Sequence, residues 1–182
     1  MIESIYIKKN NKRILLMILG CLIFIVCALF FFYLANTSFK RYEVILIATG
    51  LLSFVFFGGM AIFYISLLLS NKPFVKADSQ GFMEHTTAIN WGIIDWNDIE
   101  IFILHQSFGS YFIQVKVKNL SDYQNKLNPL SKILSSINTT LMSSYDIVIH
   151  CPLIDQNPHK LCFQLNQYLQ SMKTKKDDKS SF

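Results

Sequence analysis

Two uninterrupted apolar runs constrain this chain more than any other feature. Residues 14–35 and 44–69 contain no Asp, Glu, Lys, Arg or His. At about 1.5 Å of rise per residue, a helix over either run exceeds the ~30 Å hydrocarbon core of a bilayer. A buried helix in a soluble protein is usually shorter and keeps a polar stripe, which neither run shows. The second run is long enough to need tilt or an interfacial end. The sequence therefore predicts an N-terminal transmembrane hairpin over 14–69, with spans at 14–35 and 44–69, preceded by a cytoplasmic segment at 1–13. A cleaved signal peptide is the competing reading of the first run, because Lys8, Lys9, Lys12 and Arg13 precede it. The run is longer than a ~7–15-residue signal core, however, and Phe30 to Tyr33 put bulky side chains where a cleavage site needs small ones.

Charge placement sets the expected topology. Lys8, Lys9, Lys12 and Arg13 precede the first run and Lys72 and Lys76 follow the second, whereas only Lys40 and Arg41 lie in the short connection. Six against two places both termini in the cytoplasm and the chain in the cell membrane as a two-span, multi-pass protein. The net charge of +5 comes from these flanks. From Ser70 onward eleven Lys face ten acidic residues and there is no Arg, which argues against nucleic acid as a partner. The absence of Asp, Glu, Lys, Arg and His from both runs argues against a proton relay or transport path. Thr49-x-x-x-Ser53, with Gly20, Ala28, Gly58 and Gly59, permits close helix packing within the hairpin and leaves a homo-oligomer open.

After Pro73 the hydrophobic pattern alternates. Phe74–Ala77 and Phe82–His85 flank Asp78-Ser79-Gln80-Gly81, a hairpin turn in which Gly81 supplies positive φ. Ile99, Ile101 and Ile103 predict a strand covered on nearly both faces. Tyr111, Ile113, Val115 and Val117 predict a strand with one wet face, joined to it through Phe108-Gly109-Ser110. Leu130, Ile133, Leu134, Ile137 and Leu141 recur at helical spacing after Pro129, and Ile147 and Ile149 mark another strand. Asn157 as cap and Pro158 at the first position open a last helix with Leu161, Leu165, Tyr168, Leu169 and Met172 on one face. The expected domain spans 73–172 and is α+β, a bent antiparallel sheet capped by a C-terminal helix. A charged, Ser-rich tail at 173–182 is expected to be disordered.

Two apolar runs, then Gly81-Phe82, then Ile94-Asp95-Trp96-Asn97-Asp98-Ile99 with alternating strands and a terminal amphipathic helix, together resemble bacterial two-transmembrane proteins with a C-terminal pleckstrin-homology-like (PH-like) domain, a largely uncharacterised group. The resemblance covers nearly the whole chain. It implies a PH-like barrel anchored at the bacterial inner membrane and lends no catalytic residue; Trp96 in such a domain is a packing anchor.

No catalytic, cofactor-binding or metal site is expected, and the chain is not expected to be an enzyme. Walker, Rossmann and EF-hand patterns are absent. His150-Cys151 and His159-x-x-Cys162 bring imidazoles near thiols, but adjacent strand residues point to opposite faces, and no third orienting group accompanies the helical pair. Zinc would need all four to converge from one strand and one helix. Nor is a phosphoinositide headgroup site expected. Such a site needs clustered Lys and Arg, and the first hairpin offers only Lys76 beside Asp78. The functional expectation is a membrane-anchored, non-catalytic interaction module that recruits or steadies an unidentified protein partner at the inner membrane face. The alternative is a structural accessory or immunity-type membrane subunit acting through its hairpin.

Overall fold

A computed structural model describes residues 4–37, 42–107, 109–141 and 147–180. The chain forms two compact units, Asn10–Asn71 and Met1–Lys9 with Lys72–Phe182.

The first unit is a pair of long helices, α1 (Asn11–Thr37) and α2 (Glu43–Leu69). Each has 27 residues, or roughly 40 Å of length. Both are long and apolar enough to cross a membrane, and most of their side chains face outward, consistent with a membrane protein of two spans. Small residues let the pair approach closely. A Cβ at Gly50 would meet Ala28 O at 3.1 Å and the Phe32 ring at 3.2 Å, while Phe24 and Phe57 stack at 4.3 Å. Lys40 and Arg41, the basic residues of the connection, lie outside the described residues.

The second unit holds two antiparallel three-stranded sheets. In the first, β1 (Ile5–Ile7), β2 (Val75–Asp78) and β3 (Gly81–Glu84) are neighbours in that order. The sequence reading sets residues 1–13 apart and starts the domain at 73. The structure instead pairs Ile5 with Ala77 and Ile7 with Val75, so the segment before α1 supplies an outer strand. Three residues are too few for their alternation to be read from sequence, and the pairing becomes visible only when the chain returns after α2. The hairpin turn is Ser79-Gln80, and Asp78 Oδ1 accepts the Gln80 N–H at 3.0 Å. Gly81 has φ of +147°, and a Cβ there would lie 2.5 Å from Ile94 O. That approach lets Phe82 and Ile94 exchange two 2.8 Å backbone hydrogen bonds at the far edge of β3.

The second sheet runs β4 (Ile99–Ser107), β5 (Ser110–Val117), β6 (Ile147–His150). Phe108, in the β4–β5 turn, lies outside the described residues; Gly109 in that turn has φ of +74°. An irregularity in β4 alters the expected alternation. Ile99 opposes Val117 but Ile101 opposes Lys116, so Glu100 is an extra residue. Ile99 and Phe102 therefore both enter the core, while Ile101 and Ile103 are 44% and 37% exposed. The strand is not covered on both faces; a bulge shifts the period by one residue without a sequence signal.

Between β5 and β6 lie α3 (Leu120–Asn125) and α4 (Pro129–Leu141). Asn128 caps α4 by accepting the Ser131 N–H at 2.8 Å. A 3-10 turn at Cys151–Leu153 leads to α5 (Pro158–Ser180). Asn157 caps α5, its Oδ1 taking the His159 N–H at 2.9 Å, as the sequence predicts. The helix runs on to Ser180 through the charged segment expected to be disordered; that segment has no Gly or Pro to stop it and is rich in Lys, a good helix former. Leu161, Leu165, Tyr168 and Leu169 are buried and fill the core with Phe82, Phe102, Ile113 and Ile149. Asn166 also closes the free edge of β4. Its Oδ1 accepts the Phe102 N–H at 3.1 Å and its Nδ2 donates to Phe102 O at 2.8 Å, as a neighbouring strand would. Trp96 is buried, donates its indole N–H to Asp78 O at 2.8 Å and packs on Tyr168 at 5.1 Å.

Candidate functional site

An open cleft of about 220 Å³ lies between the loop after β3 and helix α3. One wall is Asn90, Trp91, Gly92 and Ile93; the other is Tyr123, Lys126 and Leu127. The first wall is shaped by an Asx turn in which Asn90 Oδ1 accepts the Gly92 N–H at 3.2 Å, and Gly92 takes φ of +73°. The turn buries Trp91 and leaves Ile93 49% exposed. On the second wall Tyr123 is fixed from behind. Its hydroxyl donates to Asp98 Oδ2 at 2.6 Å and accepts the Asp95 N–H at 3.2 Å. Burial, and then the Asp98 carboxylate, push the phenol up to about 12, so it stays protonated at neutral pH. The Lys126 ammonium sits 5.5 Å from the centre of the Tyr123 ring, within cation–π range.

This arrangement can bind but holds no general base or nucleophile. Its volume is below the ~300–1,000 Å³ of cofactor-sized sites. It suits one apolar side chain against Trp91, Ile93 and Leu127, with a carboxylate next to it reaching Lys126.

The Cys and His pairs singled out in the sequence do not meet as chemistry. Cys151 is buried, donates to Ile149 O at 3.8 Å, and has its thiol pushed by burial to about 12. Cys162 is buried and donates to Phe102 O at 3.5 Å; burial raises its thiol too. The His150 ring stacks on Phe112 at 5.1 Å and burial lowers its basicity, while His159 lies edge-on to Tyr111 at 5.2 Å. Thiols held this far above neutral pH are not nucleophiles. Among the described residues no group of three or more His, Cys, Asp or Glu could hold a metal ion.

One buried acid escapes sequence reasoning altogether. Glu84 is 1% exposed. Its Oε2 accepts the Thr86 N–H at 2.8 Å and the Thr86 hydroxyl at 2.9 Å, and its Oε1 accepts the Thr87 hydroxyl at 2.7 Å. Thr86 Oγ1 in turn accepts the His150 N–H at 2.9 Å, which ties β3 to the edge of β6. Burial pushes the carboxyl up to about 7 against the pull of these donors. The group is a joint between the sheets and does not face the cleft. The cleft residues are equally silent in sequence; the three-residue spacing of Tyr123, on α3, and Lys126, just past its end, is the hint it offers.

No protein-family model matches the chain, and comparison with characterised proteins and with solved structures likewise finds no match.

Proposed function

We propose that this chain is a membrane-anchored PH-like interaction module, non-catalytic, that recruits or steadies a protein partner at the inner face of the bacterial cell membrane. The cleft at Asn90–Ile93 and Tyr123–Leu127 carries the reading. It joins an exposed Ile93 to a cation held over an aromatic ring, and its lining contains no carboxylate, imidazole or thiol. The favoured occupant is a segment of a partner protein that presents an apolar side chain beside a carboxylate.

Several observations support the rest. Two three-stranded antiparallel sheets, filled by Leu161 and Leu165 of a terminal helix, agree with a PH-like barrel. Pairing of β1, just before α1, with β2, just after α2, favours both ends of the hairpin emerging on one side of the membrane. The basic flanks then favour the cytoplasm. Lys76 is ion-paired to Asp78 at 2.7 Å and Lys116 to Glu100 at 3.1 Å, which favours a domain without a phosphoinositide headgroup site.

One observation favours the alternative, an accessory or immunity-type subunit acting through its hairpin. Gly20, Gly58 and Gly59 have open space where a Cβ would stand, room for another helix. A photo-crosslinking residue placed at Ile93, and separately at Thr49 and Ser53, tests both in native membranes. A single adduct from position 93 that disappears with Lys126→Glu is the expected result. Adducts from 49 and 53 alone would replace this reading with the hairpin one.

A further inference from the structure

The chain segment that forms one wall of the cleft is fastened at its base around a buried carboxyl. It leaves β3 after Glu84, and His85 N–H is held by Phe74 O at 2.8 Å. It returns to the edge of β3 at Ile94, where two 2.8 Å hydrogen bonds join Ile94 to Phe82. Between these fixed ends, Thr86 and Thr87 turn inward and donate to both Glu84 oxygens. Thr86 Oγ1 also takes the His150 N–H of β6 at 2.9 Å. The segment then passes Ile89 and enters the Asn90–Gly92 turn, which brings Trp91 and Ile93 to the cleft. Glu84 thus secures the cleft wall without lining the cleft.

The two protonation states of Glu84 suit this place differently. The neutral acid accepts from Thr86 and donates to Thr87 Oγ1, whose hydroxyl then turns to Ile89 O at 3.4 Å. That arrangement links β3 through Thr87 into the cleft wall. The carboxylate can only accept, and it holds a full charge at 1% exposure. Burial raises the carboxyl and the Thr86 and Thr87 donors oppose it, while among the described residues no charged side chain acts on the group. Its neighbours supply no balancing cation. On β2 it faces apolar Val75. On β6 the His150 ring stacks on Phe112 and is made less basic by burial. His85 is made less basic by burial and by the charge of Lys72. An unbalanced buried charge is relieved by water, and local opening admits water at a lower cost than global unfolding. Thr86 and Thr87 shield both carboxyl oxygens, so their departure is the opening that hydrates the group.

We propose that Glu84 is a proton-controlled clip on the cleft wall. The neutral acid keeps Thr86 bonded to β6; when its proton passes to solvent, Thr86 parts from His150 and residues 86–93 open. For a group more basic in the closed state, this hold is fully present below about 4.5 and is lost as pH rises through about 7. On the reading that the cleft holds the partner, on which this rests, binding is firmer in mild acid than above neutrality.

Hydrogen exchange of the full chain and of Glu84→Gln in detergent, read by mass spectrometry on peptides covering 86–93 and β5, tests the proposal. No partner is needed, so failure here leaves the cleft reading to the crosslink at position 93. The ratio of parent to Glu84→Gln exchange rates in 86–93 should rise more than about tenfold from pH 5 to pH 7.5. His85, His150 and the intrinsic pH dependence of exchange are common to both chains and cancel in that ratio. The β5 peptide should stay protected after 86–93 has exchanged. A ratio that does not rise with pH would overturn the proposal. So would residues 86–93 that exchange only in step with β5, since the segment would then have no opening of its own.

Discussion

Replacing Glu84 by Gln should stabilise the domain at alkaline pH and leave it unchanged under acid. In the folded chain burial raises the carboxyl from 4.5 to about 7, so the folded state binds a proton more tightly than the unfolded one. For an acid raised on folding, the associated stability is fully present below about 4.5 and is lost as pH rises through about 7. At roughly 1.4 kcal/mol per pKa unit, the ionised carboxylate at pH 8 costs on the order of 3 kcal/mol. The neutral acid fits the site, because it can donate to Thr87 Oγ1, whose hydroxyl can turn to Ile89 O at 3.4 Å. A Gln amide makes the same donation and still accepts from Thr86 through its oxygen. Both tryptophans, Trp91 and Trp96, lie in the domain, so thermal melts of the full chain in detergent followed by Trp emission report on this unit alone. At pH 8 the E84Q chain should melt about 10 °C higher than the parent, taking a few degrees per kcal/mol for a domain of this size. At pH 4 the two should coincide. His85 and His150 are made less basic by burial; the stability they contribute is present above their unfolded value and lost under acid, the opposite direction. Comparing the two chains at each pH cancels that term. An E84Q chain that melts at or below the parent at pH 8 would refute the reasoning, because the donors around Glu84 would then outweigh its desolvation.

Asn166→Leu should cost about 1–3 kcal/mol by leaving the Phe102 N–H unpaired at the β4 edge and its C=O with only the weak Cys162 thiol donor. Light scattering on warming should also rise in that variant, and a chain that melts and scatters like the parent would show that the edge is closed by other means. Gly81→Ala should cost more than about 1 kcal/mol, because φ of +147° and an Ile94 oxygen 2.5 Å from the new methyl both oppose it; an unshifted melt would contradict this. Cys151 and Cys162 should resist maleimide at pH 8 until the domain is denatured, read by mass spectrometry of the labelled peptides. Rapid labelling of the folded chain would show that their burial is not maintained. Ile7→Asp should broaden or abolish the Trp-detected melt, because a charge would enter the buried side of β1 unpaired; a sharp, unshifted transition would mean that β1 adds nothing to the domain.

The long-range division of the chain was legible in its residues. A bilayer-length run free of charge can be recognised from composition alone, because the cost of burying charge or bare backbone in hydrocarbon leaves few other uses for it. The helix start at Asn157-Pro158, the core face of α5 and the Gly81 turn were also legible, since each depends on contacts within a few residues. Tertiary structure decided what depends on partners far apart in sequence. Ile5–Ile7 became a strand only because β2 returns to it across the whole hairpin. The bulge at Glu100 turned Ile101 and Ile103 outward, and the same spacing of apolar residues would have fitted a strand buried on both faces. The helical period of α4 located its apolar stripe but could not say which face the domain would cover; the Gln124–Ser135 contact lies on the polar side. Glu84 gives no local sign of burial, and only the meeting of β3 with β6 encloses it. The cleft likewise combines a loop near residue 91 with a helix near 125. Periodicity reports the face a side chain shares with its neighbours along the chain, whereas a binding surface is made by faces that meet through folding.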